Sequence, residues 1–273
     1  MRQFARVLLV MLCLSGLAVS LSQAASRKAP PDQVIALLKE GNQRFVAGKS
    51  IHPHTSLDRL KLAGSASQAD YAYATVLACS DSRVPVERIF DAGVMDLFVV
   101  RVAGNVCDTD EAGSIEYGLA HVHTPLLVVL GHTQCGAVTA VTNELQGHGH
   151  ALERNIPALV DNIQPAVQRA MAETPKSKAD RLIPLAIEEN VWQSIEDLFR
   201  GSPATRKLVR SGDVKVVGAI YDVETGVVEW LPAAKSEEIL ARVEQAPDRA
   251  MNPMADGTHA APEKPAGHEK TVH

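Results

Sequence analysis

Four nearly unbroken apolar runs limit what this chain can become. They are Ala72 to Ala78, Leu97 to Val102, Leu126 to Leu130 and Val214 to Ile220. Runs of this length without polar alternation suit strands covered on both faces, the situation in a parallel sheet. Helical periodicity fills the intervals, over Glu111 to His121, Cys135 to Leu145, Ile156 to Ala172 and Ala179 to Phe199. Strand and helix in alternation predict an α/β fold with right-handed crossovers and flanking helices. Tyr221 to Gly226 reads as a turn, and Val227 to Trp230 as the return strand. The expected sheet is therefore central and mostly parallel, with one antiparallel edge strand.

The chain has 273 residues, 46% of them hydrophobic, which is enough for one sizeable core. A formal net charge of -5 gives no electrostatic footprint for nucleic acid. The glycine patterns of dinucleotide and nucleotide-triphosphate sites are absent. Arg2 and Arg6 precede an almost wholly apolar stretch from Val7 to Val19, and Ser22-Gln23-Ala24 follows. That order predicts a signal peptide over 1–24, cleaved after Ala24. The apolar stretch is short for a membrane span and no second one follows, so the cleaved protein is expected to be periplasmic or secreted.

Residues 25–31 read as a linker. A helical arm over 32–48 follows, capped by Asp32, with Val34, Ile35, Leu37, Leu38 and Phe45 on its apolar side and Gly48 stopping it. Such an arm is expected to lay its apolar face on a partner subunit. The main domain is expected to span 32–245, and the tail over 246–273, rich in Pro, Ala, His, Glu and Lys, reads as disordered. Cleavage leaves Cys79, Cys107 and Cys135, an odd number that argues against a disulfide framework.

Cys79-Ser80-Asp81-Ser82-Arg83 ends the first apolar run, and His132-Thr133-Gln134-Cys135 follows the third. Parallel sheets bind ligands beyond the carboxyl ends of their strands, so the two segments should meet at one edge. Together they supply two thiols and an imidazole, a set that holds zinc and leaves a fourth position open. Asp81 brings a carboxylate with Arg83 as its cationic partner.

The pairing of Cys-x-Asp-Ser-Arg with His-x-x-Cys resembles the β-class carbonic anhydrases. Gly41-Asn42-Gln43-Arg44-Phe45, Ala103-Gly104-Asn105 and Ser114-Ile115-Glu116-Tyr117 extend the resemblance across nearly the whole core. The resemblance implies zinc held by Cys79, His132 and Cys135, and reversible hydration of carbon dioxide to bicarbonate through a zinc-bound hydroxide. It implies that Asp81, paired with Arg83, orients that hydroxide, or ligates the zinc itself when the pair opens. It also implies a homodimer or homotetramer. Carbon disulfide or carbonyl sulfide hydrolysis on the same site, and a non-catalytic zinc-binding role, are the competing functions.

Gly104 and Gly136 are expected where backbone approaches substrate, with Gly136 offering a helix-start amide to bicarbonate. His121, His123, His148 and His150 are proton-transfer candidates by pKa alone. Cys107 reads as a small buried residue. Two positions depart from the family pattern. Some bacterial members build an inhibitory bicarbonate site with a Trp on the arm, where this chain has Phe45, which lacks the indole N–H. Many members place a Gln near the zinc, where this chain has Asp91-Ala92.

Overall fold

The computed structural model describes residues 28–149, 151–174 and 179–255. A five-stranded sheet forms the centre: β1 (Ala74–Cys79), β2 (Leu97–Val102), β3 (Leu126–His132), β4 (Lys215–Tyr221) and β5 (Val228–Trp230). The order is β2-β1-β3-β4-β5, with β4–β5 the antiparallel pair and the rest parallel. The expected fold class is the observed one.

Around the sheet lie α1 (Pro31–Val46), α2 (Leu57–Ala63), α3 (Val86–Ile89), α4 (Thr109–Ala120), α5 (Gly136–Asn143), α6 (Ile156–Glu173), α7 (Ala179–Gly201), α8 (Pro203–Arg210) and α9 (Ala233–Gln245). The period-2 pleat sorts each central strand between two cores. Leu77, Leu127 and Val129 point to one face, where they meet Ile115 and Leu119 of α4, Val191 and Ile195 of α7, and Ile239 and Val243 of α9. Val76, Ala78, Val128 and Leu130 point to the other, where they meet Val34 and Leu38 of α1 and Ile89 of α3. This explains why β1 and β3 are buried at every position and carry no polar alternation.

Capping chemistry set the differences in helix bounds. Asp108 closes a capping box with Glu111, so α4 starts at Thr109 rather than Glu111. Pro31 supplies the fixed φ of a first helical residue, so α1 starts before Asp32. Asp32 therefore caps nothing and instead accepts from Lys215 Nζ at 2.8 Å.

The arm differs from expectation in a more informative way. Its buried face is met by its own chain: Val34 and Leu38 sit in the core beneath β1 and β3. A polar clasp holds it there. Asn42 Nδ2 donates to Ile89 O (3.2 Å) and Gly226 O (2.8 Å), and Asn42 Oδ1 accepts from Val228 N (3.0 Å). Gly41 makes the approach possible, since a Cβ there would lie 1.9 Å from Phe90 O. Gly41→Ala is thus expected to cost about 1–3 kcal/mol of stability through overpacking. Urea unfolding checks this, and an unchanged midpoint would contradict the docking.

Beyond α9 the chain stays docked past the compositional break: Ala250 N donates to Arg200 O at 2.9 Å, and Arg206 Nη2 donates to Ala250 O at 2.5 Å. The expected signal peptide and residues 256–273 lie outside the described residues, as does His150. Among the described residues no helix is long and apolar enough to cross a membrane.

One half-buried acid gives the fold a pH signature. Burial pushes the Asp197 carboxyl on α7 up to about 6, despite a 2.7 Å bond from Gln193 Nε2. The folded protein then holds this proton more tightly than the unfolded chain, whose Asp titrates near ~3.9. The stability it contributes is present below about pH 4 and is lost as pH rises through about 6. Asp197→Asn is expected to be more stable than the unsubstituted protein at pH 7, by on the order of 2–3 kcal/mol. Thermal unfolding should show that advantage vanishing near pH 4; an advantage independent of pH would contradict this origin.

Candidate metal centre

The register places the centre. Ala78 pairs with Leu130, so Cys79 and His132, the last residues of β1 and β3, lie together at the carboxyl edge of the sheet. Cys135 follows three residues later as the residue preceding α5. The donor atoms of Cys79, His132 and Cys135 all lie within 4.8 Å of one another, and all three residues are buried. A third apolar cluster surrounds them, including Val106, Val138 of α5, Ile163 of α6 and Ile187 of α7.

The imidazole is oriented by its own neighbour. His132 Nδ1 donates to Thr133 O at 2.9 Å, which leaves Nε2 as the lone-pair nitrogen. Thr133 is fixed in turn by β4 and the hairpin: its N–H donates to Tyr221 O (2.9 Å) and its Oγ1 accepts from Val223 N (3.0 Å). His132 Nε2 is fully buried and has no hydrogen-bond partner among the described residues. A buried imidazole nitrogen without a partner costs stability unless something binds it.

The sulfurs show the same need for a cation. Cys79 Sγ accepts from Asp81 N at 3.4 Å and Gly104 N at 3.3 Å. The Cys79 thiol is drawn well below its usual range by the adjacent Cys135 thiol and then, against the effect of burial, by His132 and those two amides. Cys135 is pushed up by Cys79 and by burial. Two thiolates this close repel, so without a cation one of them keeps a proton. A divalent metal removes that conflict and satisfies His132 Nε2 as well, so the three residues fit such an ion.

Asp81 lies beside the trio, with Oδ2 4.0 Å from His132 Nε2. Arg83 grips it through both carboxylate oxygens: Nε donates to Oδ1 (3.0 Å), Nη2 to Oδ2 (2.7 Å), and the backbone N–H to Oδ1 (2.9 Å). These bonds hold the carboxyl far below the ordinary carboxylate range. Arg83 Nη2 also donates to Gln134 O at 3.0 Å, which ties the two motifs together.

Sequence reasoning missed several residues that build this site. Arg101 on β2 donates to Cys79 O (3.0 Å) and Asp81 O (2.7 Å), clamping the turn that carries the pair. Its charge within an otherwise apolar strand was the available signal. Thr133, Asn190 and Ser194 gave none, because their partners are distant in sequence or main-chain atoms.

Of the remaining candidates, Gly104 and Gly136 adjoin the trio and the others lie elsewhere. Gly104 is buried at φ 72° and its N–H is committed to Cys79 Sγ. Gly136 opens α5, and a Cβ there would meet nothing within 4 Å. His121 and His123 precede β3 and so lie at the opposite edge of the sheet, about 20 Å away at the rise of a strand. His148 ends a π-helical turn after α5 and is exposed. Cys107 packs in the core under α4 and α7. Phe45 lies against Gly226, whose Cβ would come within 3.0 Å of its ring. Asp91 is a buried structural acid, bound to Arg44 Nε (2.6 Å) and to the amides of Ile51 and His52 (3.0 Å each).

Comparison with known proteins agrees with this geometry. The carbonic anhydrase family profile matches residues 74–228. A carbonic anhydrase from Mycolicibacterium smegmatis is 37% identical over 192 residues, covering 70% of this chain and 89% of that protein. The β-carbonic anhydrase CafA of Aspergillus fumigatus superposes with a TM-score of 0.59 at 24% identity, covering 78% of this chain and 97% of that one. One of two tetrameric β-carbonic anhydrases from Sordaria macrospora gives a TM-score of 0.55 at 22% identity, covering 73% and 97%. With the profile spanning more than half of its length, and with the α/β sheet and the Cys-His-Cys cluster in place, the chain belongs to the β-carbonic anhydrase family.

Proposed function

We propose that this chain is a zinc enzyme hydrating carbon dioxide reversibly to bicarbonate and a proton, with Cys79, His132 and Cys135 holding the ion. The observation that carries the reading is the buried His132 Nε2, unpartnered among the described residues, set among two sulfurs and 4.0 Å from an ionised carboxylate. Zinc bound there supplies Lewis acidity, which in the best-known case brings the pKa of a water from ~15.7 to about 7.

The chain's own residues do the rest. Asp81 stays ionised throughout the working pH range because Arg83 holds its proton off, so it can only accept hydrogen bonds. It accepts one from the attacking water and turns a lone pair of that water toward the substrate carbon. Arg83 keeps Asp81 turned to its own guanidinium, and so keeps the carboxylate off the ion. Gly136 presents the first amide of α5, free of an intrahelical partner and under open space, to the negative charge that develops on bicarbonate. Gly104 acts on the sulfur and not on substrate, since its N–H is already donated.

Export and self-assembly belong to the same reading. The basic start, the apolar stretch and Ser22-Gln23-Ala24 support a signal peptide cleaved after Ala24 and a periplasmic or secreted enzyme. The catalytic unit spans 32–245, with a tail after it. Homodimer or homotetramer formation is supported by β2, an edge strand whose Leu97 to Val100 are only half-buried, and by α2, which buries no residue and exposes Leu57 and Leu60.

Chelation and reloading test the metal assignment. Stripping with dipicolinate should abolish hydration, and one zinc per chain should restore it. Undiminished hydration by a stripped protein would contradict the proposal.

A further inference from the structure

The strap Ala103–Asn105, between β2 and α4, carries two consecutive residues with left-handed backbone, Gly104 at φ 72° and Asn105 at φ 46°. Such a turn has several alternatives open to it, because glycine is nearly unrestricted. The conformation adopted aims the Gly104 N–H at Cys79 Sγ, 3.3 Å away. Ile163 packs over the outside of the turn, 2.8 Å from where a Cβ on Gly104 would sit.

Two side chains of α7 select that conformation. Asn190 Nδ2 donates to Gly104 O at 2.7 Å, and the single Ser194 Oγ proton is shared between Asn105 O and Asn190 O, each 2.9 Å away. They are one helical turn apart, and each is 1% exposed. Packing does not account for the amide. Asn190 Oδ1 is buried with no protein partner among the described residues, an unmet acceptor that leucine would not carry. What the asparagine offers over leucine is its donor, and that donor goes to the strap.

We infer that Asn190, assisted by Ser194, is a positioning residue for the metal centre: it holds the strap so that the Gly104 N–H donates to the Cys79 thiolate. This rests on the reading of Cys79 as a zinc ligand. A hydrogen bond to a thiolate disperses its charge, so the sulfur gives less electron density to the cation and the cation stays the stronger Lewis acid. Outer partners of this kind are worth about 10–100-fold in metal affinity or activity. A single helix residue thus sets the donor strength of one ligand from the far side of Gly104.

The test uses the full mature chain loaded with cobalt(II), whose thiolate charge-transfer absorption reports sulfur donation directly. Asn190→Leu is expected to move that band to longer wavelength, to raise the pH midpoint of kcat/KM for the zinc form, and so to lower kcat/KM at neutral pH about tenfold. Ser194→Ala is expected to do the same to a smaller extent, and it carries the test if Asn190→Leu fails to fold. Gln193→Met is the control: it lies on the same helix, but its bonds go to Arg169 and Asp197, not to the strap. Its band and midpoint should match the unsubstituted protein. Cobalt uptake with an unchanged band in both strap variants overturns the inference and leaves the metal assignment standing. Equal shifts in the control overturn it too, because the effect is then general loosening of α7. Failure of the unsubstituted chain to take up cobalt or zinc overturns the site reading, and the inference with it.

Discussion

Cys135→Ser is expected to lower zinc affinity by well over the ~10–100-fold that loss of an outer partner costs, and to abolish hydration at limiting zinc. The substitution changes one atom and leaves the shape nearly intact. Yet a serine hydroxyl does not ionise in the range where a thiol beside a divalent cation does. The site then offers one thiolate and one imidazole. Cys135 is 1% exposed within the cluster of Val138, Ile163 and Ile187, so the new hydroxyl is buried as well. That adds a stability cost of about 1–3 kcal/mol if it finds no partner. The fold should survive, because Cys79 and His132 stay anchored by β1 and β3. Zinc competition with a chromophoric chelator measures the effect. An affinity within tenfold of the unsubstituted protein would show that Cys135 is not a ligand.

Asp81→Asn is expected to lower kcat/KM for carbon dioxide hydration by about 10²-fold, the low end for a positioned proton acceptor, with zinc content unchanged. The bidentate grip of Arg83 decides the sign. A carboxylate meets the guanidinium with both oxygens and has lone pairs to spare for a water. An amide gives its single oxygen to Arg83 and turns its NH₂ toward the centre, a donor where an acceptor is needed. Asparagine keeps the shape of this side chain, which is 19% exposed, so packing is retained and the thermal midpoint should move by only a few degrees. A large drop in stability with near-normal turnover would instead make the Asp81–Arg83 pair a turn clamp.

The clustering of the three candidate ligands was legible because each motif is contiguous and follows a strand whose burial on both faces is written in its residues. Alternating strand and helix patterns then required the motifs to share an edge. What was not legible depends on contacts between distant segments. Arg101 reaches back 20 and 22 residues, and Asn190 reaches Gly104 across 86. The arm shows the limit best. Its periodicity predicted an apolar face seeking a surface, but not whose. Gly41 against Phe90, and Asn42 bonded to Ile89, Gly226 and Val228, decided for the same chain. Helix α9 was overlooked despite Ile239, Leu240 and Val243 falling on one side of it. The histidines show another limit: titration range alone made His121 and His123 candidates with no motif to place them, and topology puts them at the opposite edge of the sheet.

Stopped-flow hydration of carbon dioxide by the zinc-loaded protein, from pH 6 to pH 9, tests the central claim most directly. Fast turnover that rises with pH is the predicted result, since the attacking water must lose a proton while Asp81 is ionised throughout. No hydration at any pH, with one zinc per chain confirmed, would contradict the account.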